Sequence, residues 1–187
     1  MDKSVALLLV KAESKRLPQK NTRNFHGDPM FLRNVEKCLR IFDKVYVSSD
    51  SPWILELAET YGAIPIQRSS VLCGDTPNIP VYQHALQFMN TEAIVAVQAN
   101  SPTINQNIIG LAKKLVEWGV DEVMTCHRDR AIYGSVWAIR TGKLLNYGDP
   151  YKPMPSVLIK DVSIDIHTLE DLDLALKQDE QQNTYNS

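Results

Sequence analysis

V5-A-L-L-L-V-K-A-E-S-K-R-L-P-Q-K-N21 joins two segments of opposite chemistry. Val5–Val10 is continuously apolar, the pattern of a strand covered on both faces, and such strands belong to parallel sheets. The remainder carries Lys11, Lys15, Arg16 and Lys20 against a single carboxylate, Glu13. In open sheets of this type ligands bind beyond the carboxyl ends of the strands. A cationic loop directly after the strand is therefore placed to meet an anion. It lacks the glycine spacing of a P-loop, since the chain's first glycine is Gly27. A polyphosphate would be held here by side-chain charge and guanidinium geometry. Read alone, the segment is equally a solvated basic loop.

Composition narrows the classes. The chain has 187 residues, 44% hydrophobic and 22% charged, with a net charge of −2. That suits one soluble domain, expected over residues 1–180 with a frayed tail at 181–187. No overall basic field argues for nucleic acid, so anion binding must be local. Cys38, Cys73 and Cys126 have no metal-ligand spacing and no even pairing, which fits reduced thiols in the cytoplasm. The N-terminal apolar run is too short to span a membrane and no cleavage site follows it, so neither a membrane partner nor a secretory signal is expected.

Further along, apolar runs alternate with helical spacing. Strands are expected at 43–50, 63–67, 93–98, 122–126, 133–139 and 162–166, and helices after Pro29 and at 51–61, 79–89, 104–118 and 169–178. Ser51 suits an N-cap, Pro52 the first helical position and Gly62 the helix end. Residues 141–160, rich in Gly, Pro and Tyr, read as an irregular arm or loop. Strands alternating with helices give an α/β fold: a three-layer αβα sandwich around a mostly parallel, Rossmann-like sheet.

The other segments following strands are polar. Ser48-S-Asp50 reads first as a turn or helix cap. Gln98-A-N-S-Pro102 offers carboxamides and hydroxyls that can read a base or a sugar, or Asn100 and Ser101 that cap the next helix. In Ser163-I-D-I-H-T-L-E-Asp171, alternation puts Asp165 and His167 on one face, a pair that can hold a divalent ion. Thr168 and Asp171 suit a capping box beside it.

The order of these segments resembles the acylneuraminate cytidylyltransferase (CMP-sialic acid synthetase) family, on the nucleotide-diphospho-sugar transferase fold. The family's opening A-R-x-x-S-K-R-L-P-x-K-N is matched from Ser14 to Asn21. Its G-x-P-L is Gly27-D-P-Met30, its S-T-D-S is Ser48-S-D-Ser51, and its Y-G-A-x-x-x-x-R is Tyr61–Arg68. L-A-x-D-T is Leu72-C-G-D-Thr76, Q-x-x-S-P is Gln98–Pro102, and S-I-D-I-D-T-x-E-D-L is Ser163–Leu172.

The resemblance implies transfer of CMP from CTP to an acidic, sialic-acid-like sugar for cell-surface polysaccharide biosynthesis, with Mg2+ as cofactor and a homodimer as the assembly. Lys20, Lys11 and Arg16 would be the catalytic cations. Lys11, Ser14, Asn21, Arg68, Asp75 and Thr76 would bind nucleotide, Gln98 and Asn100 the sugar, and Asp165 with His167 the metal. The chain departs from the family at Lys11, where an arginine is usual, at Ala12 and Glu13, where small residues are, and at His167, where a carboxylate is. Two alternatives stay open: a transferase for another sugar or base, and a nucleotide-binding homologue with weak or lost catalysis.

Overall fold

A computed structural model describes residues 1–185. Its strands are β1 (Val5–Leu9), β2 (Asn24–Phe25), β3 (Asp28–Pro29), β4 (Val45–Ser49), β5 (Ile64–Gln67), β6 (Ala93–Val97), β7 (Glu122–Cys126), β8 (Ile132–Arg140) and β9 (Val157–Lys160). Its helices are α1 (Met30–Leu39), α2 (Pro52–Thr60), α3 (Asn78–Leu86), α4 (Gln106–Glu117), α5 (Thr141–Leu145) and α6 (Leu169–Tyr185).

The unbroken apolar run of β1 has the predicted cause. Ala6 and Leu8 pack with Val35 of α1, Ile54 of α2 and Ile109 of α4, whereas Val5 and Leu7 pack with Ile79 and Tyr82 of α3. One strand thus serves two hydrophobic layers, and each fully buried Leu contributes about 1.5–3 kcal/mol. The main sheet runs β5-β4-β1-β6-β8-β7-β9. All its pairs are parallel except those of β8, which lies antiparallel between β6 and β7. The α/β architecture with a mostly parallel sheet is as the sequence implies. Parallel register brings the carboxyl ends of β1, β4, β5 and β6 to one edge, with Leu9 opposite Ser48 and Ser49 opposite Gln67.

Local signals act as their chemistry requires. Ser51 Oγ accepts from the Ile54 amide and Pro52 opens α2. Gly62, at φ +92°, takes the left-handed turn that ends it. Thr168 Oγ accepts from the Asp171 amide at 3.1 Å while Asp171 returns a carboxylate to the Thr168 amide at 2.8 Å, closing the capping box of α6.

Three expectations are corrected. Residues 141–160 are not wholly irregular, since they contain α5 and the edge strand β9. Val162–Ile166 is not a strand: Asp161 takes the Ser163 amide at 3.0 Å, and the next amides bond to Thr103 and Asn100 instead of a ladder. Helix α6 runs on to Tyr185, so the expected frayed tail is helical backbone from 181 to 185, and its last two residues lie outside the described ones.

Candidate active site

The basic loop is built rather than merely solvated. The Val10 amide bonds to Ser48 O at 2.9 Å and the Ala12 amide to Asp50 Oδ1 at 2.9 Å, fixing where the loop leaves the sheet. Leu17 is buried in a third cluster with Phe25, Met30, Ile166 and Leu172. Gln19 adopts φ 54°, and a 3-10 turn at Lys20–Thr22 follows. Asn21 then donates to Lys11 O at 3.0 Å, tying the end of the loop to its start. Lys20 is 8% exposed. Burial draws its pKa below the usual lysine value, Asp165 pulls it back up, and Arg16 and Lys11 lower it. Glu13 is exposed and lies with Trp53 and Thr22 in a separate hollow, so its charge is turned away from the cationic face.

The second wall follows β4 and β5. Arg68, 6% exposed, donates to Ser48 O at 2.8 Å and to Ser48 Oγ at 3.4 Å. Burial lowers its pKa, and the nearby Asp50 opposes that shift. The loop after Arg68 meets the basic loop directly: Lys11 reaches Gly74 O at 3.4 Å, and Lys15 pairs with Asp75 at 2.5 Å.

The third wall is Gln98–Asn100. Asn34 of α1 is fully buried and donates to Gln98 O at 2.8 Å and Ser101 O at 2.9 Å. Lys37, one turn on, donates to Pro102 O and to Ile104 O at 2.9 Å. Burial draws Lys37 down to about 8, and the buried Cys38 thiol is pushed up to about 12. Asn100 does not cap α4, whose N-cap is Asn105. Its amide instead donates to Asp165, whose other oxygen sits 2.6 Å from His167 Nε2.

These walls enclose one open cleft of about 280 Å³. Lys11, Arg16, Lys20 and Asn21 line one side, Arg68 and Thr76 the second, Gln98 and Asn100 the third. Four expected site residues lie off its lining. Ser14 accepts from the Leu17 amide at 3.4 Å and shapes the turn. Asp75 is spent on Lys15 at the exposed rim. Asp165 and His167 stand behind Asn100, with Asp165 acting on Lys20. Among the described residues, no three His, Cys, Asp or Glu side chains converge as a metal site. The Asp165–His167 pair therefore fits a cation only if that cation also takes oxygens from a bound nucleotide.

Some contributing residues lay outside the sequence motifs. Asn34 and Lys37 carry no motif signal. Their only mark is a polar residue on the apolar side of a helix, where burial demands a partner. Tyr82 of α3 also lines the cleft, but in sequence it reads as one more core aromatic.

A cationic loop after β1, a polar loop after β6 and a sheet with one reversed strand define a nucleotidyltransferase type of fold. The profile of the family described as "Cytidylyltransferase" matches residues 5–130, and the chain belongs to that family. It is 30% identical over 116 residues to a pseudaminic acid cytidylyltransferase of Campylobacter jejuni subsp. jejuni serotype O:23/36, covering 57% of this chain and 50% of that protein. It is 37% identical over 78 residues to the CMP-N,N'-diacetyllegionaminic acid synthase of Legionella pneumophila, covering 40% of this chain and 34% of that one. The chain thus spans about half the length, or less, of these curated relatives. Among solved structures, CMP:2-keto-3-deoxy-manno-octonic acid synthetase complexed with CTP superimposes with a TM-score of 0.77 at 15% identity, covering 97% of this chain and all of that one. At that identity the likeness is one of fold.

Proposed function

We propose that this protein transfers the cytidylyl group of CTP to a hydroxyl of an acidic, 2-keto sugar and releases pyrophosphate. The observation that carries the reading is the convergence of Lys11, Arg16 and Lys20 across one cleft from Gln98 and Asn100 in a member of the cytidylyltransferase family. Relatives named for pseudaminic, diacetyllegionaminic and 3-deoxy-manno-octulosonic acids support an acidic sugar as the acceptor.

In this reading the sugar oxygen bonds to the α-phosphorus, the bond from that phosphorus to the bridging oxygen breaks, pyrophosphate leaves, and the hydroxyl proton passes to solvent. Negative charge accumulates on phosphoryl oxygens, so catalysis is positioning plus fixed cations. Lys20, buried and held by the turn that follows Leu17, faces that charge with little reorganisation. Lys11 and Arg16 bind the outer phosphates. Arg68 and Thr76 flank the nucleoside, and Asn21 holds the loop closed on it. Gln98 and Asn100 orient the sugar from a loop that Asn34 and Lys37 keep rigid. Asp165 and His167 would hold a divalent cation, magnesium in this reading, together with nucleotide oxygens; such a cation neutralises phosphate charge.

The test is pyrophosphate release from CTP and magnesium with a panel of acidic sugars, repeated with ATP, GTP and UTP. Release restricted to CTP and an acidic sugar is expected. CTP binding without release for any sugar would instead assign a nucleotide-binding homologue, a reading favoured by the His167–Asp165 contact that occupies the Asp165 carboxylate. A single domain, a homodimer and a cytoplasmic location belong to the same proposal; sedimentation velocity and cell fractionation check the last two. No helix among the described residues is long and apolar enough to cross a membrane.

A further inference from the structure

The floor of the cleft holds a polar group that no feature above uses. Tyr82 is 3% exposed, yet it lines the cleft. Its ring stands edge-on to Trp137, with centroids 5.7 Å apart at 83°. Trp137 is itself fixed, because its Nε1 donates to the buried Glu122 at 2.8 Å. Glu122 also accepts from Tyr147 OH at 2.8 Å and pairs with Lys143 at 2.6 Å. The Tyr82 ring therefore has a rigid platform.

Its hydroxyl has no hydrogen-bond partner among the described residues and is not sealed from solvent, and the residue borders the cleft. Burial alone pushes the phenol well above its usual pKa. At any ordinary pH the group is a neutral donor. Open to solvent, the hydroxyl is met by water in the free protein; a ligand oxygen that pairs with it replaces that water, whereas a ligand that covers it without an acceptor leaves it unpaired at a cost.

Register says which part of a ligand lies there. Ile94, Ala96 and Gln98 alternate onto the face that α3 covers, and Ala96 stands opposite Trp137. A Cβ at Gly134 would meet Met124 Cε at 3.2 Å and Gln98 Nε2 at 4.0 Å, so the Gln98 amide rests on that same face. Tyr82 and the Gln98 amide thus border the cleft from the same side of the sheet.

The geometry points to Tyr82 as a specificity-determining residue that donates its hydroxyl hydrogen bond to an uncharged oxygen of the acceptor sugar, a hydroxyl or an acylamino carbonyl. This rests on the acidic-sugar reading above and adds a named contact to it. A cation at the same place would select for the sugar's charge. A phenol on an apolar floor selects instead for a neutral substituent, and an analogue lacking that oxygen would leave the donor unpaired.

The experiment compares Tyr82→Phe with wild type in two assays. Calorimetry titrates each of pseudaminic acid, N,N'-diacetyllegionaminic acid and 3-deoxy-manno-octulosonate into protein saturated with CMP. Pyrophosphate release gives KM for CTP and for sugar. The variant is expected to weaken binding of the preferred sugar, and to raise its KM, about tenfold, with KM for CTP unchanged and Tm unchanged or raised. Loss confined to the two acylamino-type sugars assigns a carbonyl partner; equal loss with 3-deoxy-manno-octulosonate assigns a hydroxyl. Wild-type protein that binds a sugar without turnover, with binding weakened by Tyr82→Phe, would sink the transferase reading and keep this one. The inference is overturned by unchanged sugar binding, by a CTP defect of the same size, by a fall in Tm showing that the hydroxyl serves the fold, or by wild-type protein that binds none of the three sugars.

Discussion

His167 Nε2 lies 2.6 Å from one oxygen of Asp165, and Asn100 donates to the other. The carboxylate that acts on Lys20 is therefore held from both sides before any substrate arrives. Asp165→Asn should lower pyrophosphate release by about 100-fold, because in the function proposed above it removes the carboxylate that would hold the divalent cation with the nucleotide's oxygens. His167→Asn should cost less, about tenfold, because it removes the imidazole of the proposed pair and leaves the carboxylate oxygens that magnesium prefers. Steady-state release assays at saturating CTP decide the ranking, and a larger loss for His167 would reverse the assigned roles.

The basic loop makes a sharper contrast. Lys20 is buried within the turn, while Lys15 is 80% exposed in its side chain and paired to an exposed Asp75. Lys20→Ala should reduce turnover about 10²–10³-fold, as expected for removing a preorganised donor. Lys15→Ala should change it by no more than about threefold, since exposed ion pairs contribute little. Similar, mild losses for both would return the loop to the status of a charged surface.

Lys37 gives a pH signature. Its pKa falls from 10.5 when unfolded to about 8 when folded, because burial disfavours its charge. Below pH 8 both states are protonated and the destabilisation is fully present. Between pH 8 and 10.5 the unfolded state binds more protons, so this group's contribution to stability rises with pH. Chemical denaturation of wild type and Lys37→Met across that window should show a steeper upward slope for wild type. Parallel curves would mean that Lys37 is better solvated than its bonds to Pro102 and Ile104 imply.

Cysteine reactivity reports on the loop that follows Arg68. Cys38 and Cys126 are buried, whereas Cys73 is partly exposed between the cleft residues Leu72 and Gly74. A thiol reagent should modify Cys73 first in native protein, and saturating CTP should slow that modification. Mass spectrometry of the labelled peptides locates the site; equal labelling with and without CTP would place the nucleotide away from this loop.

Much of the fold could be read from periodicity because β1 faces two hydrophobic layers and α2 carries its Ser, Pro and Gly punctuation in order. The strand expected at 162–166 failed for a specific reason. Alternation of Ser163, Asp165 and His167 records which way side chains turn, and an extended segment satisfied by side-chain bonds turns them as a strand does. β9 was overlooked because its edge position leaves it short and half-exposed, beside prolines that read as loop. Within the site, charged and amide residues after strands were legible from position alone. Asn34, Lys37 and Tyr82 were not, since a polar atom in a core announces itself only when its partners, or their absence, are visible in three dimensions.

The unladdered segment 162–167 has a consequence for how the protein breathes. Ile164 and Ile166 give their amide protons to Thr103 and Asn100 rather than to a neighbouring strand, and the loop containing those acceptors rests on Asn34 and Lys37. Solvent exchange at these amides should then rise and fall in step with exchange in residues 98–104, on a timescale separate from β1 and β6. The loop after β6 and the Asp165 segment should then open as one unit, so that whatever steadies either of them steadies both.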